Sequence, residues 1–177
     1  CIRDSGYLDP IRPGLKDPFN LIFAVRKLSR RNPNAKLVLG GVPQDKVFII
    51  SYLAGRLKLD VNLETLIVGM YPNVTEIYRG LNMVVSPVAG GIVSTVAAEA
   101  MACGCPAIVL DGGDRPAVLK CKNDPDDMAK AILKLWDMIE EDRDKVREQA
   151  RSIAERHYNI VDTVKIFIKV LNGFFTL

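Results

Sequence analysis

Short, unbroken apolar runs alternate along the chain with longer segments in which apolar residues recur every three or four positions. The runs are continuous rather than alternating with polar residues, and loops containing glycine or proline follow them. Continuous apolar runs of this kind are typical of strands buried on both faces of a sheet. The pattern predicts strands at 35–41, 64–69, 81–87 and 105–110.

The intervening and following segments have the period of helices with one apolar face. Pro18 stands in the first turn of one, and Asp124 followed by Pro125 gives another an N-cap and a first-turn proline. Asn73 with Glu76 three residues later is a variant of the capping box. Helices are predicted at 17–31, 43–59, 73–81, 94–103, 124–141, about 142–157 and 160–172.

Strands that alternate with helices predict an α/β fold with a parallel sheet and helices on both of its faces. Right-handed crossovers make this a Rossmann-like, doubly wound sheet. The helices after Asp124 have no strands between them, so they are expected to pack outside the sheet as extra C-terminal helices. The chain has no internal repeat and no low-complexity linker, and residues 1–177 are predicted to form a single domain.

Composition removes several classes of function. The 24 Lys and Arg residues exceed the 21 Asp and Glu residues by only three, too small an excess to indicate nucleic-acid binding. The four cysteines include a C-x-C pair, and the chain has one histidine, so we expect no metal site and reduced cysteines in the core. No stretch has the apolar length of a membrane span and no signal-peptide layout is present, which favours a cytoplasmic location.

The loops that leave the carboxyl ends of the predicted strands are the expected ligand edge of such a sheet. In the loop 86–95, Gly90 and Gly91 precede the predicted helix 94–103, whose N-terminal amides suit a phosphate. Ser94 and Thr95 either cap this helix or bind a ligand oxygen. The loop matches neither the P-loop nor the G-x-G-x-x-G pattern.

Three charged side chains are further candidates, each with two interpretations. Arg12 and Lys16, four residues apart on another loop of the same edge, are either a clamp for a diphosphate or solvated surface charge. Glu99 lies in the second turn of the predicted helix among alanines. Its carboxylate either points to water or accepts hydrogen bonds from a pair of sugar hydroxyls. From the residues alone both questions stay open.

The segment "EAMACGCPAIVLDGGDRPAVL" resembles the signature of retaining nucleotide-sugar glycosyltransferases of the two-Rossmann GT-B type (group 1), in their C-terminal donor-binding domain. Further similar segments follow the family's order over nearly the whole chain. The resemblance implies that Glu99 binds the donor ribose and that the loop at 69–71 lies by the nucleobase. It also implies that the diphosphate is bound by Arg12, Lys16 and the turn formed by Gly91, Ile92, Val93, Ser94 and Thr95.

The sequence departs from the family pattern in three places. Gly91 stands where the family has a first glutamate that touches the transferred sugar, and Tyr7 stands where many members have arginine. The chain also has only one of the two GT-B domains. It is therefore expected to be an excised domain, inactive alone, whose acceptor binds through a missing N-terminal domain.

The resemblance implies a nucleoside-diphosphate sugar as donor and no cofactor, and it leaves peripheral contact of the full-length protein with the inner face of the membrane open. No catalytic side chain is identified, and His157 is interpreted as structural or surface. The missing glutamate supports an alternative: a non-catalytic nucleotide-sugar binding or interaction module. A related sugar epimerase of the same fold is disfavoured, because the Glu-Ala-Met-Ala run and the closing segments fit transferases better.

Overall fold

The computed structural model describes residues 18–30, 33–40, 44–59, 63–66, 73–88, 94–112 and 116–175. Within them, helices and strands alternate up to residue 110, a further strand follows at 119–121 with no helix described before it, and only helices come after it. The elements are α1 (Pro18–Ser29), β1 (Leu37–Gly40), α2 (Gln44–Leu57), β2 (Leu63–Leu66), α3 (Val74–Gly80), β3 (Val84–Ser86), α4 (Thr95–Ala102), β4 (Ala107–Leu110), β5 (Leu119–Cys121), α5 (Pro125–Glu141), α6 (Arg143–His157) and α7 (Ile160–Phe175).

Every strand pair in the described residues is parallel, as predicted. β1 pairs with β2 from Leu37 opposite Leu63, and β4 lies between β3 and β5. The four predicted strands are confirmed, and each predicted helix is present. The structure is an α/β fold with parallel strands flanked by helices.

The sequence pattern missed β5, a strand of three residues. Its central residue, Lys120, is exposed, whereas Cys121 is buried. A strand with one exposed face does not give a continuous apolar run, so the criterion that found the other four passed over it.

One core joins the two hydrogen-bonded groups of strands. Leu37 and Leu39 of β1 belong to the same buried cluster as Val85 of β3 and Ile108 of β4. Helix α1 contributes its predicted apolar stripe to this core, including Leu21 and Val25.

Polar contacts fasten α1 to the beginning of α5. The Asn20 amide donates a 3.0 Å hydrogen bond to the Asn123 side chain, and Lys27 forms an ion pair with Asp126. That ion pair also lowers the pKa of the Asp126 carboxyl. The Asp124 cap is confirmed, because its carboxylate accepts from the backbone N–H groups of Asp126 and Asp127.

The capping-box interpretation at Asn73 is wrong. Asn73 is the N-cap of α3, but its side chain makes no capping hydrogen bond. Its ψ of 62° lies outside the extended region from which an N-cap side chain reaches the first turn of a helix.

The three C-terminal helices differ in how they meet the rest of the molecule. α5 packs on α1 and β5, and α6 packs on α4 and α5. The large apolar residues of α7 between Ile160 and Leu171 are exposed. In the part of the chain that the structure describes, no helix has the length and apolar character needed to cross a bilayer.

Candidate functional site

Two serines tie the end of β3 to the beginning of α4. The Ser86 hydroxyl donates a 2.6 Å hydrogen bond to Ser94 Oγ, and both side chains are buried. Ser94 is the N-cap of α4, and its Oγ accepts from the backbone N–H of Ala97 at 3.2 Å. The ends of the connection between β3 and α4 are therefore held together, at the carboxyl edge of the strands.

The structure shows the capping role predicted for Ser94, and its role toward a ligand oxygen stays a prediction. Its hydroxyl caps the helix, as serine commonly does at this position. The next backbone N–H, that of Ala98, is bonded to the Ser94 carbonyl oxygen. The first two amides of α4, at Thr95 and Val96, find no acceptor within the described ranges, as expected for the first turn of a helix. They carry the positive end of the helix dipole, which suits an anionic oxygen.

Glu99 lies in the second turn of α4, as predicted, about 7.5 Å along the helix axis from Ser94. Its side chain is exposed, but it is not unconstrained. The Tyr78 hydroxyl donates a 3.0 Å hydrogen bond to Glu99 Oε2, and Tyr78 itself is fully buried on α3. A fixed aromatic ring thus orients a carboxylate that faces water. Glu99 Oε1 has no hydrogen-bond donor within the described residues.

The carboxylate borders an open cleft of about 440 Å³ between α4 and α6. On the α4 side the cleft is lined by Ala98 and Ala102, whose small side chains leave room beside Glu99. On the α6 side it is lined by Arg151, Glu155 and the segment that ends the helix at Tyr158 and Asn159. The cleft has the polar groups and the volume to take a small hydroxylated ligand.

The other end of α4 is fixed by its own sequence. Gly104 has a positive φ of 76°, and its N–H bonds to the Met101 carbonyl oxygen while the Cys105 N–H bonds to the Ala100 carbonyl oxygen. This pair of bonds is the Schellman motif, which favours glycine at this position because the residue has a positive φ. The Cys-Gly-Cys-Pro stretch therefore ends α4 and turns the chain directly into β4. The resulting burial raises the pKa of the Cys105 thiol to about 12.

Several predicted site residues lie outside the described residues. These are Arg12, Lys16, Gly91, Ile92, Val93 and the loop at 69–71. Their roles stay predictions. Of the predicted site, the structure describes Ser94, Thr95 and Glu99, and it places all three on the first two turns of one helix or at its cap.

Sequence reasoning missed Tyr78 and Ser86. Neither belongs to a motif, and their partners lie 21 and 8 residues further along the chain. A weak signal was present for Tyr78, which is the sole aromatic residue of the short helix α3. Nothing in the sequence indicates that its hydroxyl reaches Glu99.

Solved structures share this fold at low sequence identity. Anabaena HepE in complex with UDP-glucose is 20% identical, with a TM-score of 0.76 over 97% of this chain and 48% of its own. Sucrose-phosphate synthase from Thermosynechococcus elongatus is 19% identical, with a TM-score of 0.72 over 90% of this chain and 43% of its own.

A third similar structure, the catalytic domain of cholesterol-α-glucosyltransferase from Helicobacter pylori, is 20% identical, with a TM-score of 0.69. That match covers 88% of this chain and 97% of the other. The chain therefore spans less than half the length of HepE and of sucrose-phosphate synthase. No curated protein sequence matches it.

The sequence profile of the family described as "Glycosyl transferases group 1" matches residues 12–138. This stretch contains β1 to β5, the two linked serines, Tyr78 and Glu99, and it covers well over half of the chain. The parallel α/β fold and the sequence agree, and the chain belongs to the group 1 glycosyl transferase family.

Proposed function

We propose that this chain is the C-terminal, donor-binding domain of a retaining GT-B glycosyltransferase that transfers a sugar from a nucleoside-diphosphate sugar. Glu99 binds the ribose hydroxyls of the donor, and the amides at the beginning of α4 bind its diphosphate. The observation that carries the proposal is the hydrogen bond from buried Tyr78 to Glu99. It holds an exposed carboxylate in place on the helix whose N-terminus faces the carboxyl edge of the strands.

The geometry supports a division of labour along α4. Its first-turn amides at Thr95 and Val96 lie about 4.5–6 Å from Glu99 along the axis, so one ligand with an anionic part and a hydroxylated part can reach both. The Tyr78 hydrogen bond occupies one carboxylate oxygen and leaves the second to accept from a ligand hydroxyl. A nucleoside diphosphate has both features, and HepE binds UDP-glucose on a similar fold.

In the full-length protein, Arg12 and Lys16 would add positive charge at the diphosphate and stabilise it as a leaving group. The acceptor would bind through a second, N-terminal domain, since HepE and sucrose-phosphate synthase are more than twice as long as the part that matches. The isolated domain is then a binding unit without transfer activity.

The sequence carries one observation in favour of a second candidate. Gly91 stands eight residues before Glu99, where the family pattern has the glutamate that touches the transferred sugar. Under this alternative the domain binds the nucleotide part of the donor without supporting transfer. Both candidates give Glu99 the same role in binding the nucleotide. They differ only in whether the full-length protein transfers a sugar.

Isothermal titration with UDP, GDP and ADP tests the shared part of both candidates. We expect one of these nucleotides to bind and Glu99→Ala to weaken its binding about tenfold or more, because a charge-assisted hydrogen bond to ribose is lost. Glu140→Ala, an exposed glutamate on α5, is the matched control and should bind as the unaltered protein does. Absence of binding at millimolar concentration would contradict both candidates.

Tyr78→Phe isolates the positioning of the carboxylate. It keeps the buried ring but removes the donor to Glu99. We expect nucleotide affinity to fall severalfold while the Glu99→Ala/Tyr78→Phe double variant binds no more weakly than Glu99→Ala. Additive losses of affinity would show that Tyr78 does not act through Glu99.

A sugar-transfer assay of the full-length protein, with and without Gly91→Glu, distinguishes an enzyme from a binding module.

A further inference from the structure

Three arginines line one small cavity at the amino-terminal ends of β3 and β4. The cavity has a volume of about 60 Å³, and it is bordered by Arg79, Arg143 and Arg147 together with Asn82 and Pro106. Asn82 lies just before β3 and Pro106 just before β4. The arginine cavity is therefore at the opposite end of these strands from the connection between β3 and α4, and it shares no lining residue with the cleft beside Glu99.

The three arginines come from two elements that are far apart in the chain. Arg79 lies in the last turn of α3, Arg143 is the first residue of α6, and Arg147 follows one turn later. Tertiary packing alone brings α3 and α6 to the same cavity. Arg143 and Arg147 are neighbours one turn apart on α6, and it is Arg79 that only the tertiary fold adds to them.

No acidic residue lines the arginine cavity. Within the described residues, none of the three arginines has a carboxylate at ion-pair distance. The Asp142 carboxylate accepts from the Lys145 N–H. Asp144, Glu148 and Glu155 line a second groove on α6, which Arg147 also borders, but none of them lines the arginine cavity. Three basic side chains therefore border one cavity without a carboxylate partner in the described residues.

The local backbone adds to this positive potential. Arg143 begins α6, a helix of 15 residues, and the N-terminal end of a helix carries partial positive charge. Asn82, a neutral residue with amide hydrogen-bonding groups, also borders the cavity. Guanidinium groups are planar, fixed donors whose geometry matches phosphate oxygens, and several of them around one cavity make a dianion the favoured occupant.

We propose that the arginine cavity binds a phosphate group, at a site separate from the donor diphosphate. The phosphate is held by charge-assisted hydrogen bonds from Arg79, Arg143 and Arg147. Free phosphate and the phosphate of an anionic lipid headgroup offer the same chemistry to this cavity. The proposal stands on residues that take no part in the proposed donor site.

Titration with inorganic phosphate, followed residue by residue in ¹H–¹⁵N spectra at constant ionic strength, tests the site. We expect shifts at the amides of 79–82 and 143–147, and an affinity that falls at least about tenfold in Arg147→Gln. Arg56→Gln, which removes the same charge from the exposed face of α2, is the matched control and should leave the titration unchanged.

The residues whose amide signals shift distinguish phosphate binding in the arginine cavity from binding at the proposed donor site. Phosphate that shifts only the amides near 94–99 would overturn the arginine cavity and leave the donor site standing. Shifts of equal size and affinity in Arg147→Gln and Arg56→Gln would also overturn it. Loss of nucleotide binding in Glu99→Ala with intact phosphate shifts at 79–82 and 143–147 would support two independent sites.

Vesicle sedimentation distinguishes a lipid headgroup from a soluble phosphate as the ligand of the arginine cavity. Sedimentation with phosphatidic acid vesicles but not with phosphatidylcholine vesicles, abolished by Arg79→Gln and Arg147→Gln together, assigns the cavity to a lipid headgroup. Binding of inorganic phosphate without sedimentation assigns it to a soluble ligand. If the protein neither binds inorganic phosphate nor sediments with phosphatidic acid vesicles, the proposal is wrong. Arg79 is exposed, so its replacement by glutamine should not prevent folding, which circular dichroism checks.

Discussion

The two consecutive helices at the C-terminal end of the described chain place their apolar residues in opposite ways. α6 is mostly charged, yet Val146, Ala150 and Ala154 are buried against the rest of the domain. α7 is mostly apolar, yet Ile166 is 65% exposed and Phe167 is 61% exposed. The count of apolar residues in a helix therefore does not determine whether it packs in this domain.

The spacing and size of the side chains explain the difference. The buried residues of α6 are four positions apart and two of them are alanine, so they form one narrow stripe along which α4 approaches closely. The apolar residues of α7 spread over more than half of the helix circumference, and its polar side chains Asp162, Lys165 and Lys169 share the remainder. In the described residues no other element covers this surface.

The largest expected effect comes from filling the contact between α6 and α4. Ala150 is fully buried, so Ala150→Leu should lower the free energy of unfolding by about 1–3 kcal/mol through overpacking. The neighbouring exposed residue provides the control: Gln149→Leu should change stability by less than about 0.5 kcal/mol. Urea unfolding measures both, and equal effects would show that α6 does not pack as described.

The pH dependence of the free energy of unfolding tests the burial of Cys105, which follows the turn at the end of α4. Burial raises the pKa of the Cys105 thiol from 9.0 to about 12. Between these values the unfolded chain holds fewer protons than the folded one, so the stability from this group is complete below pH 9. It is then lost as the pH rises toward 12, by about 1.4 kcal/mol per pH unit.

Chemical unfolding between pH 9 and 10.5 should therefore show a shallower loss of stability in Cys105→Ala than in the unaltered protein. Cys103→Ala, at a half-buried thiol two residues earlier, should keep the original slope. The same slope in all three proteins would contradict the burial of Cys105.

Replacing the N-cap residues of α6 and α7 should have smaller effects on stability, and the two replacements can be compared directly. The Asp142 carboxylate accepts from the Lys145 N–H at the beginning of α6, and the Asn159 side chain accepts from the Val161 N–H at the beginning of α7, both at 3.0 Å. Asp142→Ala should lower global stability by about 1 kcal/mol. Asn159→Ala should lower helical content without shifting the main unfolding transition, because α7 adds little packing to it.

Thermal unfolding followed by tertiary fluorescence, together with far-ultraviolet circular dichroism, distinguishes the two outcomes. A shift of the main transition in Asn159→Ala as large as that in Asp142→Ala would mean that α7 unfolds with the core. The proposed difference between the helices would then be wrong.

The smallest effect is expected on the exposed face of α7. Phe167→Ser should change the free energy of unfolding by less than about 0.5 kcal/mol and should reduce the binding of a hydrophobic dye, since it removes a large exposed apolar side chain. Denaturant unfolding and dye fluorescence provide the measurements. A loss of more than about 1 kcal/mol would indicate that Phe167 is buried in solution.

Part of the candidate site can be predicted from the sequence pattern and part cannot. The sequence predicts Glu99 in the second turn of a helix, because Gly90 and Gly91 precede a helical segment that begins at residue 94, and the structure confirms this place. Tyr78 and Ser86 were not found, because their hydrogen bonds join different elements. The N-cap position of Asn73 is confirmed, but the predicted side-chain capping bond is wrong, since a local pattern does not fix the backbone angles that it needs.

The sequence by itself determined the α/β class, the parallel strands and most element boundaries, because these depend on apolar periodicity and on capping residues a few positions apart. The tertiary structure alone decided that β5 completes one edge of a sheet and that a buried tyrosine orients Glu99. It also decided that three arginines share a cavity, and that α6 is packed while α7 is exposed. Each of these depends on which distant elements approach one another, and that follows from packing of the whole core rather than from any local pattern.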